Sequence, residues 1–154
     1  DTSLDRYWEM FFDDDYNREL YRALDIDRTV LKVEPDGDVT RREVLLKPQR
    51  EIPKLFKKIM KGSLEYTEHN VFDRGRSLLE VRIVPAFGAD KITNVGTYRV
   101  VDLGSNRVRR IYEGECKCKI PLVGGKVEKH IVGEIRASYV TTTDVSRKWL
   151  REHA

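Results

Sequence analysis

Residues Asn106–Ile120 read NRVRRIYEGECKCKI, Pro121–Gly125 read PLVGG, and Lys126–His153 read KVEKHIVGEIRASYVTTTDVSRKWLREH. The first stretch alternates: Tyr112, Gly114, Cys116, Cys118 and Ile120 share one face, and Glu113, Glu115, Lys117 and Lys119 share the other. That is the period of a strand with one buried side. The last stretch carries a seam at helical spacing, Val127, Ile131, Ile135, Ser138, Thr142, Val145 and Trp149, flanked by Val132, Tyr139 and Leu150. At about 3.3 Å per residue the strand reaches on the order of 50 Å, and at about 1.5 Å per residue a helix from Lys126 to Glu152 spans roughly 40 Å. The lengths are comparable, so the helix can lie across a whole sheet. A long strand feeding a long helix is how a curved sheet grips a helix, and such a grip usually encloses a cavity.

Upstream, the strand signal repeats. Asp36-Gly37 is a hairpin turn between Thr29–Glu34 and Val39–Lys47. Further runs are Leu64–Phe72, Ser77–Val84 and Ile92–Leu103, separated by turns at Asp73-Arg74-Gly75, Phe87-Gly88-Ala89-Asp90 and Gly104-Ser105-Asn106. Short separators predict a six-strand antiparallel meander. Before it, Thr2 or Ser3 can cap a helix with Leu4, Trp8, Phe11 and Phe12 on one face, and Tyr16, Leu20, Tyr21 and Leu24 form a second helix ending near Asp25. Asp13–Asp15 lack calcium-loop spacing and read as a helix junction with capping carboxylates.

Gln49–Gly62 is amphipathic, with Ile52, Leu55, Phe56, Ile59 and Met60 on one face and Lys54, Lys57, Lys58 and Lys61 over much of the rest. The favoured reading is a short segment packing its apolar face on the sheet; contact with an anionic membrane surface is the alternative.

The chain of 154 residues is 40% hydrophobic with no linker-like stretch, which predicts one domain spanning residues 1–154. Its 29 basic and 26 acidic residues are interleaved, which argues against a nucleic-acid-binding face. No apolar run approaches the roughly 18 to 20 residues of a membrane span, and no signal-peptide pattern opens the chain. Cys116 and Cys118 have no partner at zinc-site spacing and lie two apart on a strand, which suits reduced core thiols in a cytoplasmic protein.

The middle of the helical seam is its unusual part. Large groups sit at its ends and the small hydroxyls of Ser138 and Thr142 at its centre. A cavity between helix and sheet explains this; so do hydroxyls bonded back to helix carbonyls with larger neighbours filling the space, or a kink in the β-branched run Val140–Thr143. The residues alone leave these readings open. Gly114 lies mid-strand on the inner face, where a missing side chain leaves room or lets the helix approach, and Gly96 and Tyr98 repeat the glycine–aromatic combination one strand earlier.

Two short helices, a meander and a long terminal helix resemble the START-like helix-grip superfamily, also called SRPBCC. Lys119-Ile120-Pro121-Leu122-Val123-Gly124-Gly125-Lys126-Val127-Glu128 looks like an uncharacterised bacterial family within it. The resemblance implies an α+β helix-grip fold, a curved antiparallel sheet wrapped around the C-terminal helix, and a hydrophobic small molecule or lipid bound between them. The superfamily begins with a strand before the two helices. Here that strand is expected either upstream of Asp1 or absent, leaving a sheet edge open to dimerisation.

His69, His130 and His153 stand far apart, no phosphate-cradling loop is present, and no catalytic or metal site or cofactor is indicated. Glu80, Arg82, Arg99, Asp102, Arg110 and Glu113 are expected mostly in cross-strand pairs facing solvent, and any that alternation turns inward could act as acid, base or ligand clamp. The expected cavity lining is Tyr98, Tyr112, Gly114, Cys116, Ile131, Ile135, Ser138 and Thr142. The resemblance implies that the turn carrying Phe87, between Pro85 and Gly88, borders the cavity mouth; Phe87 is then expected with Lys54, Lys57 and Lys58 at a peripheral membrane contact, the competing reading being that Phe87 folds back onto the sheet and the lysines are ordinary solvated charges. The alternatives are a polyketide cyclase-like or aromatase-like enzyme using the same cavity, or a protein-interaction module with a filled core.

Overall fold

The computed structural model describes residues 1–51, 53–57 and 64–153. Helix α1 (Leu4–Phe12) starts at Ser3, whose side chain accepts a hydrogen bond from the Arg6 amide at 3.2 Å. The acidic triplet is a helix junction: Asp13 accepts from the Tyr16 amide at 2.8 Å, and Asp14 and Asp15 open α2 (Asp14–Ala23), where carboxylates oppose the positive helix end. Asn17 locks the corner by donating to the Phe11 and Asp13 carbonyls at 3.0 and 2.6 Å.

Among the described residues six strands form one antiparallel sheet in sequence order: β1 (Ile26–Asp36), β2 (Val39–Pro48), β3 (Tyr66–Asp73), β4 (Leu78–Pro85), β5 (Ile92–Gly104) and β6 (Arg107–Cys118). Gly37 takes the left-handed conformation the hairpin turn needs, with φ 58°. Pro35 sits in β1, an edge strand, where a missing amide is tolerated. Helix α3 (Lys54–Lys57) lies in the connection from β2 to β3. Ile52, Lys58, Ile59, Met60, Lys61 and Gly62 of the amphipathic segment fall outside the described residues.

Helix α4 runs unbroken from Gly124 to Glu152 and packs on β6 and α2. This is an α+β helix-grip arrangement. The helix starts two residues earlier than its periodicity predicts, because Gly124 and Gly125 are its first turn and not a loop before it. A side chain at Gly124 would overlap the Cys118 carbonyl, so the glycine is required by close approach of helix and strand. The left-handed residue of the connection is Leu122, with φ 67°. Glu128 then reaches back to accept from the Cys118 amide at 2.7 Å, tying the end of β6 to α4.

The apolar interior divides in two. The larger cluster joins Tyr7, Trp8, Met10, Tyr16 and Leu20 of the N-terminal helices to Phe72, Leu79, Tyr98 and Val100 of the sheet and Val145 and Trp149 of α4. The smaller holds Cys118 and Val127, packed by Ile92, Ile120, Val123 and Ile131. Full burial of one such large side chain stabilises by about 1.5–3 kcal/mol, so the aromatic end is the stronger anchor. The middle of α4, around Ile135 and Ser138, belongs to neither cluster.

Candidate functional site

Strand pairing sets Gly96 opposite Gly114 and Tyr98 opposite Tyr112 on the inner face. The Tyr112 ring lies over both glycines: a Cβ at Gly114 would come within 2.8 Å of its hydroxyl, and one at Gly96 would overlap it. The volume freed by Gly114 is therefore taken by Tyr112, and the glycine pair is a bed for that ring. Tyr112 in turn faces Tyr139 of α4, with ring centroids 5.5 Å apart.

Between β6 and the middle of α4 lies a cleft of about 400 Å³. It gathers Tyr112, Gly114, Cys116 and Ile135, and adds Asn94, Arg110, Val132 and Tyr139. Tyr98 sits instead in the larger cluster, 7% exposed, sharing a hydrogen bond with the Tyr7 hydroxyl. Ile131 packs on the smaller cluster. Ser138 donates to the Ile135 carbonyl at 2.8 Å and Thr142 to the Ser138 carbonyl at 2.7 Å, so the hydroxyls of the seam are satisfied within the helix.

Of the six polar strand residues considered above, Arg110 is the one that turns inward. Its register partner is Val100, a core residue, so its guanidinium points inward. There it donates to the Thr143 hydroxyl at 2.6 Å and the Tyr139 carbonyl at 3.2 Å, and lies 4.9 Å from the Tyr139 ring centre. Burial opposes its charge, but Tyr98 and Tyr7 outweigh that and hold it above its ordinary range. Burial likewise raises the Tyr7, Tyr98 and Tyr139 hydroxyls. By contrast Arg99 pairs with Glu113 at 2.6 Å on the solvent face, and Glu80, Arg82 and Asp102 are exposed. The signal for Arg110 was positional: its even number puts it in line with Tyr112 and Gly114.

The inner face carries further polar groups. Asn70 donates to Glu68 at 2.9 Å, and Arg42, opposite Asn70, lies over the Phe12 ring at 5.1 Å. Among the described residues, Asn70 Oδ1 and Arg42 Nε are buried without a hydrogen-bond partner. Alternation along Tyr66–Phe72 contained this signal, since Glu68 and Asn70 share the face of Phe72.

At the opposite end from α1, the Lys119 amide donates to the Lys91 carbonyl at 2.8 Å, joining the β4–β5 loop to the β6–α4 connection. Phe87 on the first is 41% exposed and Leu122 on the second is fully exposed. Lys54, Lys57, Lys91 and Lys119 are exposed; Lys58 lies outside the described residues. No described helix is long and apolar enough to cross a membrane. Cys116 and Cys118 are free thiols, and burial raises the Cys116 thiol above its ordinary range. Among the described residues no three His, Cys, Asp or Glu side chains converge as a metal site would require.

No match was found among curated proteins. A family model described as "Protein of unknown function (DUF2505)" matches residues 1–150, nearly the whole chain, and the protein belongs to that family.

Proposed function

We infer that the protein is a START-like (SRPBCC) binding module that takes a hydrophobic small molecule or lipid between the sheet and α4. The observation that carries this reading is the cleft between β6 and α4, opening where the two core clusters leave the middle of the helix uncovered. Its volume of about 400 Å³ falls within the roughly 300–1,000 Å³ usual for small-molecule sites. Tyr112, Cys116, Val132 and Ile135 supply apolar wall, and Asn94, Arg110, Glu115 and Arg136 supply its polar and charged groups. Native mass spectrometry of the purified chain, with extraction of whatever co-purifies, tests the reading. A bound apolar species supports it; a ligand-free chain that also ignores added hydrophobic probes refutes it.

Exposed Phe87 and Leu122 with neighbouring Lys91 and Lys119 support a second element, peripheral contact with an anionic membrane for ligand exchange. Apolar tips enter the headgroup region while lysines meet anionic lipid.

A further inference from the structure

Arg110 is an inward-facing cation at the wall of the cleft, and no carboxylate pairs with it among the described residues. Its near neighbours are hydroxyls, a helix carbonyl and tyrosine faces. A part-buried guanidinium held by neutral partners carries a charge that no anion among the described residues pairs with. It also stands between two openings, the cleft toward Cys116 and Ile135 and a second of about 680 Å³ toward Thr143 and Arg147. The other charged residues lining the first cleft are Arg136 and Glu115, so its charge sums in favour of an anion. Those lining the second are Asp1, Arg109, Asp144 and Arg147, again with the basic groups in excess once Arg110 is counted.

We propose, resting on the hydrophobic-ligand reading, that the ligand is an acidic amphiphile of the fatty-acid class. Its carboxylate pairs with Arg110, and its apolar chain runs along Tyr112, Cys116, Val132 and Ile135. The planar guanidinium fork matches a carboxylate, and a charge-assisted pair in a partly dry site is stronger than a neutral hydrogen bond. The hydroxyl of Thr143 and the carbonyl of Tyr139 act as positioning groups that aim the fork.

The full chain is titrated with dodecanoic acid and with dodecanol, below their aggregation limits, at a pH where the acid is ionised. The acid is expected to bind at least about tenfold tighter than the alcohol, and Arg110→Gln is expected to remove that preference by weakening the acid far more than the alcohol. Arg110→Lys, keeping the charge without the fork, should retain part of it. Equal affinity of acid and alcohol for the wild-type chain, or equal weakening of both by Arg110→Gln, overturns the acidic assignment but spares the hydrophobic site. Binding of neither overturns both. If Arg110→Gln does not fold, the wild-type comparison and Arg110→Lys decide the matter.

Discussion

Tyr112 and its two glycines show how one residue choice depends on another across strands. With the ring resting on Gly96 and Gly114, any added side chain must displace it. Gly114→Val is therefore expected to destabilise the fold by about 1–3 kcal/mol, the usual range for overpacking. Adding Tyr112→Ala to that variant should recover part of the loss; a urea melt of the single and double variants measures both. The inner face of β6 was legible from alternation, but the occupant of the space at Gly114 was not. Which side chain lies down over a glycine depends on rotamer and cross-strand register, which no local pattern carries. The buried tyrosines give a second expectation. Burial pushes Tyr16 up to about 12 from an ordinary value of 10.0, and Tyr66 likewise to about 12. Because the folded state favours the protonated phenol, this stability is fully present below pH about 10 and is lost as pH rises through about 12. Tyrosinate absorbance should accordingly rise together with loss of near-ultraviolet dichroism; titration of these tyrosines without unfolding would contradict their burial.

At the scale of elements, the strands and helices were legible in kind and order because hydrophobic period, capping residues and turn residues agree, but some ends were not: β1 begins at Ile26 and not Thr29, and β6 ends at Cys118 and not Ile120. Ser3 and Asp13 cap as their residue types suggest, and Asp36-Gly37 turns the hairpin. What local signals could not reveal is the seam between β6 and α4. There Gly124 is needed against a carbonyl six residues back, and Glu128 caps a strand and not its own helix. Loss of the Glu128 carboxylate leaves the Cys118 amide short of its partner and removes a charged hydrogen bond of about 1.5–3 kcal/mol. Glu128→Ala is expected to lower stability by about that amount and to raise hydrogen exchange at Cys118 and Lys119, whereas Glu128→Gln should be milder. Unchanged exchange at Cys118 in Glu128→Ala would show that the tie is not formed in solution. Ser138 and Thr142 illustrate the other limit. Their hydroxyls were compatible with a cavity or with bonds back to helix carbonyls, and the helix backbone satisfies them.

For the whole molecule, the division of the interior into an aromatic end and a smaller end under the β6–α4 connection leaves the middle of α4 outside both clusters, where the proposed ligand would lie. If the end bearing Phe87 and Leu122 meets lipid, the chain should sediment with anionic vesicles and less so in high salt, each nearby lysine contributing about 1 kcal/mol. Phe87→Ser with Leu122→Ser should abolish that sedimentation without altering the melt; equal, negligible association with neutral and anionic vesicles would remove the membrane step. The central claim is that the cleft beside Ile135 holds the ligand. Its most direct test is a fluorescence titration of a hydrophobic probe against the wild-type chain and Ile135→Trp, whose larger side chain fills the cleft. The expected result is one saturable site in the wild type, weakened at least about tenfold in a variant that still melts cooperatively. Equal binding by both chains, or none by the wild type, would contradict it.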